Sequence, residues 1–311
     1  PSRSALPATR VPLDHAPRTP PSGADIDAIK GAMRFAARGQ ISAATDRLHD
    51  IRDPVGRKLV EWAILRSCDR TTSVARYAAF ARANPSWPNL TRFRRCAEAK
   101  LWLNPQEPRV VLSFFAGRAP LGVLGKLALA RALMAQDKSV AARKYVRSAW
   151  RKGRFSVHSE TQVLKIFGRL LTRTDDRARM DARLYANDFP AAMRMARRLG
   201  EAEIALVKAR AAVKTGAKNA GALLNAVPTS ARGNPVYLLT RVQWLRRRGH
   251  IDDAGRLMLL APRDSHVIRN PDKWWIERRL LVRELLDHGK MPLAYRIAPD
   301  AAPPLKESLR V

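Results

Sequence analysis

Four segments of this chain share one pattern: AMRFAARGQISAATDRL (32–48), ARALMAQDKSVAARKYV (130–146), QWLRRRGHIDDAGRLML (243–259) and VRELLDHGKMPLAYRIA (282–298). At the centre of each stands Gly39, Asp137, Gly249 or Gly289, where a helix is expected to end. Five residues later comes an alanine (Ala44, Ala142, Ala254, Ala294), and four residues earlier a large apolar residue (Phe35, Leu133, Leu245, Leu285). Glycine tolerates the left-handed backbone that stops a helix. A short loop then reverses the chain, and the small alanine lets the returning helix come close to its partner. Asn187-Asp188-Phe189-Pro190 marks a similar unit. Paired helices repeated in this way predict an all-α fold, an α-solenoid of αα-hairpins winding as a tetratricopeptide-like right-handed superhelix, curved or horseshoe-shaped.

The rest of the chain agrees with helices. Ala and Leu carry much of the apolar content and aromatics are only 6%, which favours close-packed helices over β-sandwiches. Val55, Leu59, Trp62 and Ala63 fall at helical spacing, with Val60 and Ile64 widening the apolar face. Residues 121–134 contain only Lys126 and Arg131 as charges and read as a central helix covered on most sides. Asp53-Pro54, Asn84-Pro85, Asn104-Pro105, Asn234-Pro235 and Asn270-Pro271 each place an Asx before Pro, a helix-start signal that also fits a plain turn. Val110–Phe115 is the one run where helix and strand are hard to separate. Residues 1–24 are rich in Pro, Ser and Arg and are expected to be disordered, residues 25–300 to form the helical domain, and residues 301–311 to begin a linker.

The net charge is +31, from 44 arginines and 14 lysines against 27 acids. Such a surface attracts polyanions: nucleic acid, anionic lipid and acidic cell-wall polymers are all candidates. The basic residues are spread along the chain, which favours a generally cationic surface over one focused site. Cys68 and Cys96 have no metal-site spacing, and the six histidines are scattered; no metal and no cofactor is expected. The two cysteines lie in helical, partly apolar surroundings, so buried free thiols are the expected state and a disulfide the alternative. No apolar run approaches the roughly 18 residues of a membrane-spanning helix.

Neither a phosphate-binding Gly-rich loop nor a GxSxG, HExxH or EF-hand pattern is present. Glu61, Glu201, Glu203, Glu277 and Glu284 sit among arginines on helical faces, Asp175-Asp176 and Asp252-Asp253 read as helix-start or loop acids, and no carboxyl stands out as an acid catalyst. Two clusters remain as candidate contacts for a glycan or another polyanion. Arg246-Arg247-Arg248 is a basic helix end; a solvated end complementing the helix dipole is the plainer reading. Trp274-Trp275 with Arg278-Arg279 offers a stacking platform; anchoring of helix packing, with the Arg heads on ion partners, is the plainer reading.

DPVGRKLVEWAILR (53–66), FARANPSWPNLTRFRRCAE (80–98), FFAGRAPLGVLGKLALARALMAQ (114–136), the 243–259 segment and NPDKWWIERRLLVRELLDHGKMPLAYRIA (270–298) together resemble the N-terminal superhelical U-domain of soluble lytic murein transglycosylases. Each motif alone is weak; their order over residues 25–305 carries the resemblance. It implies a periplasmic protein of peptidoglycan turnover, whose helices hold the family's linker and lysozyme-like catalytic domains and guide glycan strands. In that family a single Glu, in a Glu-Ser motif, protonates the glycosidic oxygen. Here the chain ends at PPLKESLRV, where a linker domain is expected to begin. Glu307-Ser308 matches the letters but lies in a Pro-flanked tail, so no catalytic role is carried to it. The expectation is therefore a scaffold without lytic activity by itself. The rival readings are a nucleic-acid-binding α-solenoid and a tetratricopeptide-like protein–protein scaffold.

Overall fold

A computed structural model describes residues 20–264, 267–299 and Pro304. The opening through residue 19 and, apart from Pro304, the tail from residue 300 with its Glu307-Ser308 lie outside the described residues. Helices make up the regular structure, and no strand occurs among the described residues. The described residues divide into two compact units, one through Asp137 and one from Lys138.

The first unit contains α1 (Gly23–Ala37), α2 (Ile41–Asp46), α3 (Pro54–Arg66), α4 (Val74–Ala83), α5 (Leu90–Leu103), α6 (Pro108–Phe115) and α7 (Val123–Met134). Helix α1 packs on α2 and α3, α4 on α5, and α7 on both α5 and α6. Helix α1 starts two residues before the expected start of the helical domain at residue 25, because Ser22 caps it by accepting from the Asp25 N–H.

The second unit contains α8 (Ser139–Lys152), α9 (Val157–Phe167), α10 (Arg173–Tyr185), α11 (Phe189–Leu199), α12 (Glu201–Thr215), α13 (Ala220–Asn225), α14 (Thr229–Arg232), α15 (Pro235–Arg247), α16 (Ile251–Leu259), α17 (Pro271–Asp287) and α18 (Met291–Ile297). From α15 onward each helix packs on the next and the next but one.

The expected turns are met residue by residue. Gly39, Asp137, Gly249 and Gly289 all have left-handed backbone, at φ of 75°, 58°, 79° and 70°, and Asn187 joins them at 56°. Asp and Asn reach this region more readily than other side chains. Around the three glycines and Asn187 the residue after the turn donates its N–H to the carbonyl five positions back: Gln40 to Phe35, Asp188 to Arg183, His250 to Leu245 and Lys290 to Leu285. That is the Schellman closure of a helix end. The alanine five residues beyond each turn (Ala44, Ala142, Ala192, Ala254, Ala294) is fully or almost fully buried. A Cβ on Gly255, next to Ala254, would overlap the Leu293 side chain, so α16 and α18 meet closely.

The structure decides the readings left open and corrects others. Residues 110–115 are helical, with Pro108 in the first turn and Val111 and Phe115 buried four apart. On α3 the buried stripe is Gly56, Val60 and Ile64, with Leu65 beside it, while Val55 and Leu59 are over a third exposed. The Trp62 ring stays half-buried because its Nε1 donates to the Pro88 carbonyl. Asp53, Asn234 and Asn270 cap helices as expected, but Asn84 and Asn104 end α4 and α5 instead of starting the next helix. Most directly, Cys68 and Cys96 are not free thiols: they form a disulfide that ties the residues after α3 to α5. It lies beside the cluster of Leu65, Tyr77, Phe80, Phe93 and Ala97.

Buried acids are consistently paired with arginine or with backbone donors. Glu98, fully buried, accepts from the Leu121 and Gly122 N–H groups at 2.9 and 2.8 Å and so holds the start of α7. In the second unit Arg179 is fully buried. Its guanidinium lies 4.5 Å from the Trp150 ring centre and 4.8 Å from that of Phe155. It donates to the Trp150 and Gly153 carbonyls and to Glu160, which also receives Arg194.

Glu160 and Asp175 titrate below their ordinary values of 4.5 and 3.8. Burial alone would raise both. Hydrogen bonds from Arg194 and Arg179 outweigh it at Glu160, and bonds from Arg147, Thr172 and Arg151 do so at Asp175. The folded state thus holds these protons less tightly than the unfolded chain. The stability they contribute is complete above the unfolded values and is lost as pH falls through the depressed ones. The part of the second unit's melting temperature that these two carboxylates supply is expected to fall progressively below about pH 4, as followed by calorimetry. A melting temperature unchanged down to about pH 2 would contradict it.

Candidate functional site

The seven candidate contact residues lie on α15, at its end and on α17, and Arg246 brings the two clusters together. Its guanidinium pairs with Glu277, at 2.6 Å, and with Glu284, two turns further along α17. Glu277 stands between Trp274 and Arg278 in the sequence, so the basic cluster of one helix is locked onto the Trp-Arg cluster of the other.

This arrangement withdraws three of the seven from the surface. Trp274 is buried and donates its Nε1 to the Tyr185 hydroxyl at 3.0 Å. Arg278 is buried and donates to the Ile297 carbonyl at 2.7 Å, closing the end of α18. Arg246 is consumed by its two acids. Trp275 and Arg279 are half-buried. Arg247 and Arg248 are exposed, although Arg247 also reaches the Val213 carbonyl near the end of α12. The two clusters do not form a joint platform of rings and cations, because packing and ion pairing take the residues at its centre.

A cleft of about 480 Å³ in the second unit has no counterpart among the sequence expectations. Helix α10 contributes Arg177, Asp181 and Tyr185, α12 contributes Glu203, and the segment entering α15 contributes Asn234. Arg269 lines it from before α17. Asp181 accepts from Asn234 at 3.2 Å and faces Arg269 at 3.4 Å. Arg177 pairs with Glu203. Burial pushes the Asp181 carboxyl above its ordinary range and outweighs the bonds from Asn234 and Arg269. It pushes Tyr185 up to about 12. The cleft offers hydrogen-bonding groups of both signs, with each arginine already matched to a carboxylate. The local signal is the run RARMDARLY, where Asp181 and Tyr185 share a helix face four apart.

No group of three or more His, Cys, Asp or Glu side chains suited to a metal occurs among the described residues. No helix among them is long and apolar enough to cross a membrane. No protein-family model matches the chain. No curated protein matches it either.

Proposed function

We propose that this chain is the helical scaffold of a lytic transglycosylase acting in peptidoglycan turnover, its hairpins winding as an α-solenoid that positions a catalytic domain and contacts glycan strands. The observation that carries the reading is where the family-like motifs fall. Asn84-Pro85-Ser86-Trp87-Pro88 occupies the α4–α5 connection, Phe115-Ala116-Gly117-Arg118 the α6–α7 turn, and Trp274-Trp275 the start of α17. Each is a place where two helices are set against each other.

Two further facts support it. The Cys68–Cys96 disulfide suits an oxidising compartment such as the periplasm and argues against a cytosolic nucleic-acid binder. The net charge of +31 suits a polymer bearing peptide carboxylates. Co-sedimentation with purified sacculi at low salt tests the reading directly. Saturable binding that weakens as salt rises is expected, without release of anhydro-muropeptides detectable by mass spectrometry. A chain that stays in the supernatant with sacculi yet shifts duplex DNA would replace this reading with the nucleic-acid one.

A further inference from the structure

A run of unpartnered charge in the second unit lies on α8. Arg143, Lys144 and Lys152 are exposed and have no ion partner among the described residues. Arg147 and Arg151 lie on the same face, about a third exposed each. Together they line an open groove of about 520 Å³. At a rise of about 1.5 Å per residue the five cations extend over roughly 14 Å of helix, with Arg143, Arg147 and Arg151 in steps of about 6 Å.

Part of this ridge is fixed in place. The side chain of Asp175 is fully buried, and one of its oxygens accepts from Arg147 Nε at 2.9 Å and Arg151 Nε at 2.6 Å. Asp175 is itself held by the Thr172 N–H and hydroxyl at the start of α10. Two guanidinium groups one turn apart are thus anchored from beneath. Anchoring lowers the entropy lost when an anion is gripped. A single buried carboxylate set against five cations leaves the ridge strongly positive. Trp150, the larger ring of this helix, is fully buried and Tyr145 is half-buried, so the helix presents no fully exposed ring for stacking bases, as a single-stranded nucleic-acid site requires.

We propose that this face of α8 is a docking surface for the stem-peptide carboxylates of peptidoglycan, an inference that rests on the functional reading above. Carboxylates projecting from a glycan strand meet Arg143, Lys144 and Lys152 as mobile contacts, and Arg147 and Arg151 as fixed ones.

The test uses the whole chain with two probes, intact sacculi and linear polyphosphate, at low salt. The variant R143Q/K144Q/K152Q leaves the Asp175 pairs intact. The control K30Q/R57Q/R109Q removes the same charge from exposed positions of the first unit. Circular dichroism confirms that both are folded. The ridge variant is expected to lose at least about tenfold in affinity for sacculi, while the control changes by no more than about twofold. Equal losses by the two variants would overturn the ridge and leave the cell-wall reading standing. Binding of the native chain to polyphosphate but not to sacculi would overturn both.

Discussion

Replacing Arg179 with Leu is expected to destabilise the second unit by about 3–5 kcal/mol. Arg179 is fully buried, lies over Trp150 and Phe155, and bonds to two carbonyls and Glu160. Leucine fills part of the space between the rings. It leaves the Trp150 and Gly153 carbonyls at the end of α8 without that donor, and Glu160 buried with Arg194 alone. Lysine is not a substitute, because one ammonium cannot lie flat on the rings and reach three oxygens at once. Urea unfolding followed by circular dichroism measures the loss. The double variant R179L/E160Q should recover part of it, since the under-compensated buried charge is gone. A loss below about 1 kcal/mol for R179L would show that the cluster is not what holds α8, α9 and α10 together.

Reduction of the Cys68–Cys96 disulfide is expected to cost the first unit about 3–4 kcal/mol, from the loop entropy released in the unfolded chain by a 28-residue separation. The rings of Tyr77, Phe80 and Phe93 pack on one another beside the bond and remain when it is cut. The effect should be local. Under reducing conditions, or in C68A/C96A, the transition of residues 20–137 moves to lower denaturant while that of the second unit stays in place. A shift of both transitions together, or of neither, would contradict it. If the protein works outside the cytosol, C68A/C96A should also retain its binding to sacculi at low temperature, where the first unit is still folded.

The features legible in the sequence are the local ones. A left-handed residue followed five positions on by alanine needs nothing beyond one turn and its two helices, so Gly39, Gly249 and Gly289 mark their turns by residue type and spacing alone. Features that depend on distant partners are not legible in this way. Asp53-Pro54 and Asn84-Pro85 are chemically alike, yet one opens a helix and the other follows the end of one, which only the surrounding packing decides. The apolar face of α3 is displaced by one residue from its expected position because Trp62 resembles a core ring, and its bond to the Pro88 carbonyl lies 26 residues away. The disulfide requires the end of α3 to lie beside α5. Trp274, Arg278 and Arg246 are withdrawn from the surface by Tyr185, the end of α18, and Glu277 with Glu284, all reached through the fold. The cleft around Asp181 gathers residues from α10 to Arg269, which no short window contains.

Many arginines here hold the carbonyls left open where a neighbouring helix finishes. Arg92 reaches Arg66 at the end of α3, Arg131 reaches Leu101 near the end of α5, Arg173 reaches Leu199 at the end of α11, and Arg278 reaches Ile297 at the end of α18. A long side chain with several N–H donors in a planar, pre-organised head spans well from one helix to the next terminus, and the chain carries 44 arginines to 14 lysines. Part of the positive charge is therefore a by-product of carpentry: the N–H donors are wanted at the joints, and the charge travels with them. A neutral urea-headed side chain such as citrulline at these joints would keep N–H donors while discarding the charge, and so would separate what builds the protein from what draws partners to it.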